Sequence, residues 1–245
     1  MPEFEPVTDH IYRLELPWRL YGLVNVPVAV YLIQGGESWT LVDAGPPETA
    51  DQMVAAVART TSGRGPARVL LTHAHYDHAG GLEALHAAWN PAILCHRDEV
   101  PFVTGESDYR DLPSRSAGFW LGRLVMKTGS WALPVARDLE SGQSVIGMAV
   151  IHLPGHTPGQ VGYLHPADHA FLCGDALMTL GSTLAHPPAI STPDRQTARA
   201  SIQRLAELDF AHLLPSHGPP IFHTGREAVL EFLSQHDEGP ELKDW

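Results

Sequence analysis

A layered α/β fold is what the sequence predicts, and three observations carry that expectation. Apolar runs rich in β-branched residues alternate with segments whose apolar residues recur at helical spacing. The strand-like runs end repeatedly in Gly/Pro-bearing loops that carry His or Asp. A length of 245 residues at 44 % apolar composition is enough to bury a sizeable core without division, so a single domain over residues 1–245 is expected.

The early elements follow from local pattern. Ile11, Leu14 and Leu16 mark a first strand and residues 26–33 a second, Gly35-Gly36-Glu37 turns the chain, and Trp39-Thr40-Leu41-Val42 returns as the hairpin partner, ending at Asp43. Ala50, Met53, Val54 and Val57 predict a helix over 47–60, stopped by Ser62-Gly63-Arg64-Gly65-Pro66. Arg68-Val69-Leu70-Leu71 is the next strand, Leu82, Leu85, His86 and Trp89 a short helix, and Ala92-Ile93-Leu94-Cys95 a further strand. His86 reads as a helix-face residue rather than a ligand.

Residues 97–134 break the alternation. They are charged and turn-forming up to Pro113, then strongly apolar around Phe119-Trp120-Leu121 and Trp131-Ala132-Leu133. Two compatible readings stand: a helix packed on the core, and a lid whose inner face, residues 119–125 with Trp131, lines a substrate cleft.

Beyond it, residues 144–146, 148–153, 160–165 and 169–172 predict a second set of strands, with Pro166-Ala167-Asp168 turning the last pair. Thr192-Pro193 reads as a helix start with Thr192 as N-cap, and Ala198, Ile202 and Leu205 form the apolar face. His212-Leu213-Leu214 and a helix over 226–235 close the chain.

Composition narrows the function. A formal charge of −12, with Lys127 and Lys243 as the only lysines, argues against nucleic acid as a partner. No run approaches the roughly 20 apolar residues of a membrane span, and residues 1–5 have neither a basic nor an apolar leader character, so a cytoplasmic protein is expected. Cys95 and Cys173, each inside an apolar run, read as small buried hydrophobes. Fifteen histidines against sixteen Lys plus Arg suit a protein that places several imidazoles on metal.

The densest signal is Thr72-His73-Ala74-His75-Tyr76-Asp77-His78-Ala79-Gly80-Gly81. Four coordinating side chains fall within six positions of a strand-to-helix connection, where they reach one small volume without a long loop closing. Gly80-Gly81 is expected to mark a tight backbone bend. His156, Asp175 and His217 likewise lie just past apolar runs, and side chains at strand ends on one sheet edge meet.

In order, His-x-His-x-Asp-His, Gly-His-Thr-Pro-Gly, Gly-Asp and Ser-His-Gly resemble the metallo-β-lactamase-fold hydrolase superfamily over nearly the whole chain, with Asp43 in Leu-Val-Asp-Ala-Gly. The resemblance implies a four-layered αββα sandwich and a two-metal site. It places His73, His75 and His156 on one metal, Asp77, His78 and His217 on the other, and Asp175 between them. Asp43 is expected to orient a ligand loop or a ligand histidine. A donor set of imidazole and carboxylate without thiolate suits Zn²⁺ and also permits Fe or Mn. A hydroxide bridging the two cations would attack a substrate carbonyl, with Asp77 handling the proton as the catalytic carboxylate.

Within the superfamily the chain is similar to glyoxalase II and to N-acyl-homoserine lactonases. Little chain follows His217, which counts against the C-terminal helical region that glyoxalase II uses for glutathione. The lactonases often carry a tyrosine soon after Gly-Asp, and Ala176-Leu177-Met178-Thr179-Leu180 has none. The expected substrate is a small molecule with an apolar portion, joined by a lactone, ester or thioester bond; a homodimer is left open. The alternatives are a one-iron persulfide dioxygenase, against which the intact Ser216-His217-Gly218 counts, and a β-lactamase-like amide hydrolase.

Overall fold

The computed structural model describes residues 2–20, 24–129, 131–181 and 183–236. The first half runs β1 (Glu5–Pro6), β2 (Ile11–Leu16), β3 (Arg19–Leu20), β4 (Val24–Asn25), β5 (Val28–Gly35), β6 (Ser38–Val42), α1 (Ala50–Thr60), β7 (Arg68–Leu70), α2 (Tyr76–Ala79), α3 (Leu82–Trp89) and β8 (Ala92–His96). After α4 (Val100–Thr104), α5 (Ala117–Gly122) and β9 (Arg137–Leu139) come β10 (Ser144–Val145), β11 (Met148–His152), β12 (Val161–His165) and β13 (Ala170–Gly174). The chain closes with β14 (Met178–Leu180), β15 (Thr183–Ala185), α6 (Arg195–Leu205), β16 (His212–Pro215) and α7 (Gly225–His236).

Two sheets face each other: a seven-stranded one in the order β1-β2-β5-β6-β7-β8-β9 and a five-stranded one in the order β10-β11-β12-β13-β16. Three apolar clusters fill the spaces between layers. Val28, Val30 and Leu32 of β5 pack on the side of α1 and α3 with Met53, Val57, Leu82 and Leu85. Ala29, Tyr31 and Ile33 of the same strand turn the other way and meet Val150, Tyr163 and Leu172 of the second sheet. Phe171 and Leu213 meet Ile202 and Leu205 of α6 and Val229 and Phe232 of α7. The layers are therefore helix, sheet, sheet, helix. A strand covered on both faces must be apolar at every position, which is why residues 28–33 form an unbroken apolar run instead of alternating.

This arrangement sets the edge at which the site is built. β6, β7, β8 and β9 are mutually parallel, as are β13 and β16, so their C-terminal ends share an edge. β11, two antiparallel steps from β13, ends there too. Asp43, His73, His156, Asp175 and His217 all follow strands that end on this edge.

Gly80 and Gly81 do not make the expected tight bend: both have right-handed helical backbone, with φ of −62° and −83°. They are glycines because of close approach. A Cβ on Gly80 would lie 2.2 Å from Pro47 Cδ, and one on Gly81 2.2 Å from the Ala44 carbonyl oxygen. The loop after β6 lies directly on the turn of α2 and the start of α3 and bonds to them, Ala44 N–H to His78 O at 2.6 Å and Gly81 N–H to Gly45 O at 3.0 Å.

Thr192 is not the N-cap of α6. Asp194 takes that role, its carboxylate accepting from Thr197 N–H at 3.0 Å, and the Thr192 hydroxyl is turned toward the site. In 97–134 the structure packs α5 on the 3-10 turn Ala189–Ser191, close enough that a Cβ on Gly122 would collide with Ile190 O. Phe119 is buried, whereas Trp120, Leu121, Leu124 and Val125 face solvent and Trp131 joins the core. The expected apolar wall of residues 119–125 beside the histidine cluster is thus not what these side chains form. Both cysteines are buried in core clusters, and burial pushes their thiols up, that of Cys173 to about 12. Among the described residues no helix is long and apolar enough to cross a membrane.

At the pole opposite that edge, Asp168 staples the sheets. Its carboxylate accepts from the Thr8 hydroxyl, from His10 N–H at 3.1 Å and from His10 Nδ1 at 2.6 Å. Burial works against its charge, but these donors hold the carboxyl below its ordinary 3.8, while Asp168 raises exposed His10 above 6.5. A lowered carboxyl stabilises above its unfolded value and a raised imidazole below its own. The pair therefore contributes fully between those two values and fades on either side. Asp168→Asn is expected to cost about 1–3 kcal/mol of stability near pH 5.5, read as a lower urea midpoint; an unchanged midpoint there would contradict the staple.

Candidate metal centre

Seven side chains converge where the strands end. His73 and His75 come from the loop after β7, Asp77 and His78 from the single turn α2, His156 from the loop after β11, Asp175 from the end of β13 and His217 from the end of β16. All are buried. Within three groups, His73/His75/His156, His73/His78/Asp175 and Asp77/His78/His217, one ligand atom per residue lies within 4.8 Å of the others.

Asp175 stands between the outer two groups. Its Oδ1 is 3.4 Å from His78 Nε2, and its Oδ2 is 3.5 Å from His156 Nε2 and 3.4 Å from His217 Nε2. Asp77 Oδ2 lies 3.2 Å from His217 Nε2 and 3.7 Å from His78 Nε2. His73 Nε2 and His75 Nδ1 approach to 3.1 Å.

The imidazole orientations are set from behind. Asp43 accepts from His78 Nδ1 at 2.9 Å and from the Thr72 hydroxyl and N–H, each at 2.8 Å. Because that hydroxyl donates to Asp43, its oxygen accepts from His73 Nδ1 at 3.1 Å. The Thr192 hydroxyl donates to Pro188 O and accepts from His156 Nδ1, and His217 Nδ1 donates to Pro27 O at 3.0 Å. Each of these four rings thus presents Nε2 to the centre. Asp43 itself adopts φ +61°, rare for a residue with a side chain, and three hydrogen bonds hold it there. Asp43→Asn is expected to weaken metal binding about 10- to 100-fold, measured by chelator competition; unchanged affinity would remove Asp43 from this role.

Electrostatics divide the centre in two. Burial holds His73 and His75 well below the usual imidazole range and brings His156 down to about 4. Burial opposes charge on His78 and His217 as well, but Asp175 and Asp77 outweigh it, holding His78 well above that range and His217 at about 10. Burial would likewise raise Asp175, yet His217 and His78 keep it well below the carboxylate range. Carboxylates paired with protonated imidazoles mark where positive charge belongs, and the neutral imidazoles of the other set are already in the form that binds a cation.

Buried polar atoms give the direct fit. His78 Nε2, His156 Nε2 and Asp175 Oδ1 are buried without a hydrogen-bond partner, and all three point into the centre. Polar atoms left unpaired in a core are costly. Cations at this position would satisfy all three.

The mouth of the centre is a cleft lined by Trp18, Val26, Met178, Pro188 and Ile190 above the ligands, extended by Tyr76, Met126 and Lys127. Lys127 Nζ is bound to Glu48 at 2.7 Å and lies 5.1 Å from the centre of the Tyr76 ring.

Residues that the pattern of ligands did not announce complete the surroundings. Thr72 and Thr192 set two imidazoles, and Glu99 and Tyr109 reach the backbone of the ligand loops. The Thr beside His73 and the Gly-bearing loop at 155–159 were the available signals for second-layer contacts; nothing in Arg97-Asp98-Glu99 distinguished Glu99 from a solvated charge.

Fold and site together define a metallo-hydrolase. The metallo-beta-lactamase superfamily matches residues 23–217, and the chain belongs to that superfamily. It is 30 % identical over 223 residues to a probable metallo-hydrolase, YflN, of Bacillus subtilis (strain 168), which covers 82 % of this chain and 84 % of that one. An acyl-coenzyme A thioesterase, MBLAC2 of Gallus gallus, is also 30 % identical over 225 residues, 84 % of this chain and 77 % of that one. The solved structure of TTHA1623 in a di-iron-bound form superposes with a TM-score of 0.62 at 30 % identity, covering 87 % of this chain and 96 % of that one.

Proposed function

We propose that the chain is a dinuclear metal-dependent hydrolase that cleaves an ester-type bond, in a lactone such as an N-acyl-homoserine lactone or in a thioester. One observation carries the reading: Asp175 lies between two ligand groups, one oxygen toward His78 and the other toward His156 and His217. His73, His75 and His156 would hold one cation, Asp77, His78 and His217 the other, and Asp175 both. When bound, two cations of Zn²⁺, or of Fe or Mn, supply a water of lowered pKa and polarise a carbonyl oxygen. The di-iron form of TTHA1623 keeps iron among the candidates.

The protein's own groups do the rest. Asp77 is buried at the floor of the cleft, its Oδ2 beside His217 Nε2, where it can take a proton and return it to the leaving oxygen or sulfur. Asp43, Thr72 and Thr192 keep the imidazoles aimed so that no reorganisation is needed during turnover. Trp18, Val26, Met178 and Ile190 form an apolar wall that receives an acyl group and excludes water.

Glu48 neutralises Lys127, the cation among the described residues lining the cleft mouth, which favours an uncharged acyl substrate over a polyanionic carrier. The likeness to an acyl-coenzyme A thioesterase keeps thioesters in the substrate class. A hydrolysis panel of acyl-homoserine lactones, simple thioesters, aryl esters and a β-lactam tests this. Turnover of lactone, ester or thioester is expected, and turnover confined to the β-lactam overturns the substrate class.

A further inference from the structure

We propose that Glu99 is a positioning residue that locks the two ligand-bearing loops of the His73/His75/His156 set against each other. The proposal rests on that set being a metal site. Glu99 ends the 3-10 turn Arg97–Glu99 after β8 and is fully buried, although it belongs to no ligand group.

Its carboxylate bridges the two loops. Oε2 accepts from Ala74 N–H at 2.9 Å, and Oε1 accepts from Gly159 N–H at 2.8 Å. Ala74 stands between His73 and His75, and Gly159 lies in the loop that carries His156. The first loop belongs to one sheet and the second to the other, so a single side chain spans the two sheets directly behind three ligands. Position 159 is glycine for this contact: a Cβ there would lie 2.8 Å from both Glu99 Cγ and Glu99 N.

Tyr109 extends the bracket. Its hydroxyl donates to Glu99 Oε2 and also meets Ala74 N–H at 3.0 Å. Its ring lies 4.5 Å from that of His75, edge to face, and stacks on Phe102 at 4.0 Å.

The turn itself is braced by His96 and His152. His96 Nδ1 caps it by accepting from Asp98 N–H at 3.2 Å. The His96 ring stacks on His152 at 4.0 Å and 12°, and His152 Nε2 donates to Pro158 O at 2.9 Å, beside Gly159. His96, Asp98 and His152 come within 4.8 Å of one another. Nearly parallel rings cannot aim their in-plane lone pairs at one ion, and the His96 lone pair is already engaged by Asp98 N–H. This group therefore holds the turn and is not a further metal site.

The chemistry requires a carboxylate at position 99. Each oxygen faces a backbone N–H, so an amide in either orientation turns its NH₂ on one of them: Gly159 N–H then loses its carboxylate acceptor, or Ala74 N–H keeps only the Tyr109 hydroxyl. Glu99→Gln keeps the shape and cuts one of the two ties.

Chelator-competition titration with Zn²⁺ on the wild type, Glu99→Gln and Tyr109→Phe, alongside thermal unfolding of the metal-free proteins, tests the role. Two zinc equivalents on the wild type establish the site; if the wild type binds none, the proposed function falls, and Glu99 is then a core clamp only, which overturns the present proposal as well. With the site established, Glu99→Gln is expected to weaken one zinc equivalent about 10- to 100-fold and leave the other within a few-fold. Tyr109→Phe, which keeps the ring on His75, is expected to weaken the same equivalent less. Equal affinity of both equivalents in wild type and Glu99→Gln, with only a lower unfolding temperature, contradicts positioning and leaves a structural role. Should Glu99→Gln not fold, unaltered zinc binding in Tyr109→Phe has the same contrary weight.

Discussion

Asp175→Ala is expected to abolish hydrolysis, lowering kcat/KM by at least about a thousandfold, and to leave less than one tightly held metal per chain. The size of the effect follows from position. Asp175 lies within 3.5 Å of His78, His156 and His217, so its removal withdraws negative charge from both groups. The measurement is metal content by elemental analysis after dialysis, paired with turnover. A variant that retains two metals and wild-type activity removes Asp175 from the centre of the site.

Asp77→Asn is expected to lower kcat by about two to four orders of magnitude, with a smaller change in KM. Asparagine keeps an oxygen that can face a cation but cannot take up a proton, so the proton-handling role is separated from the structural one. Asp77 also faces His217 at 3.2 Å, so the experiment needs metal content measured on the same sample. A low kcat at full metal content supports proton handling, a low kcat that tracks lost metal reduces Asp77 to a ligand, and normal turnover at full metal content excludes proton handling.

Much of this centre is written in local sequence. His73, His75, Asp77 and His78 sit in one short turn because a strand end and a helix start can offer many donors to a small volume, and that density needs no tertiary information to be noticed. His156, Asp175 and His217 are legible because strand ends on one edge must meet once the sheet is formed. The three interlayer clusters follow from the same runs, since strands 28–33 and 170–173 are apolar on both faces.

Other features depend on contacts that spacing does not encode. Glu99 acts on backbone 25 and 60 residues away in sequence, and a Glu after Arg97-Asp98 looks like a solvated charge until the sheets close over it. Thr192-Pro193 has the chemistry of a helix start, but the hydroxyl accepts from His156 Nδ1, and Asp194 caps the helix instead. In α5, apolar residues cover both faces, so periodicity could not separate buried Phe119 from exposed Trp120 and Leu121. Gly80 and Gly81 suggested a bend, whereas their lack of a side chain serves the packing of the Asp43-Ala44-Gly45 loop against the ligand turn.

The central claim is a two-metal centre that hydrolyses an acyl bond, and one coupled measurement tests it most directly. Metal-stripped protein is titrated with Zn²⁺, Fe²⁺ or Mn²⁺ while thioester and lactone hydrolysis is followed, with oxygen uptake on a persulfide recorded in parallel. Hydrolysis that rises to a plateau at two equivalents, without oxygen uptake, is the expected result. A plateau at one equivalent of iron, with oxygen consumed on the persulfide and no acyl hydrolysis, would contradict it.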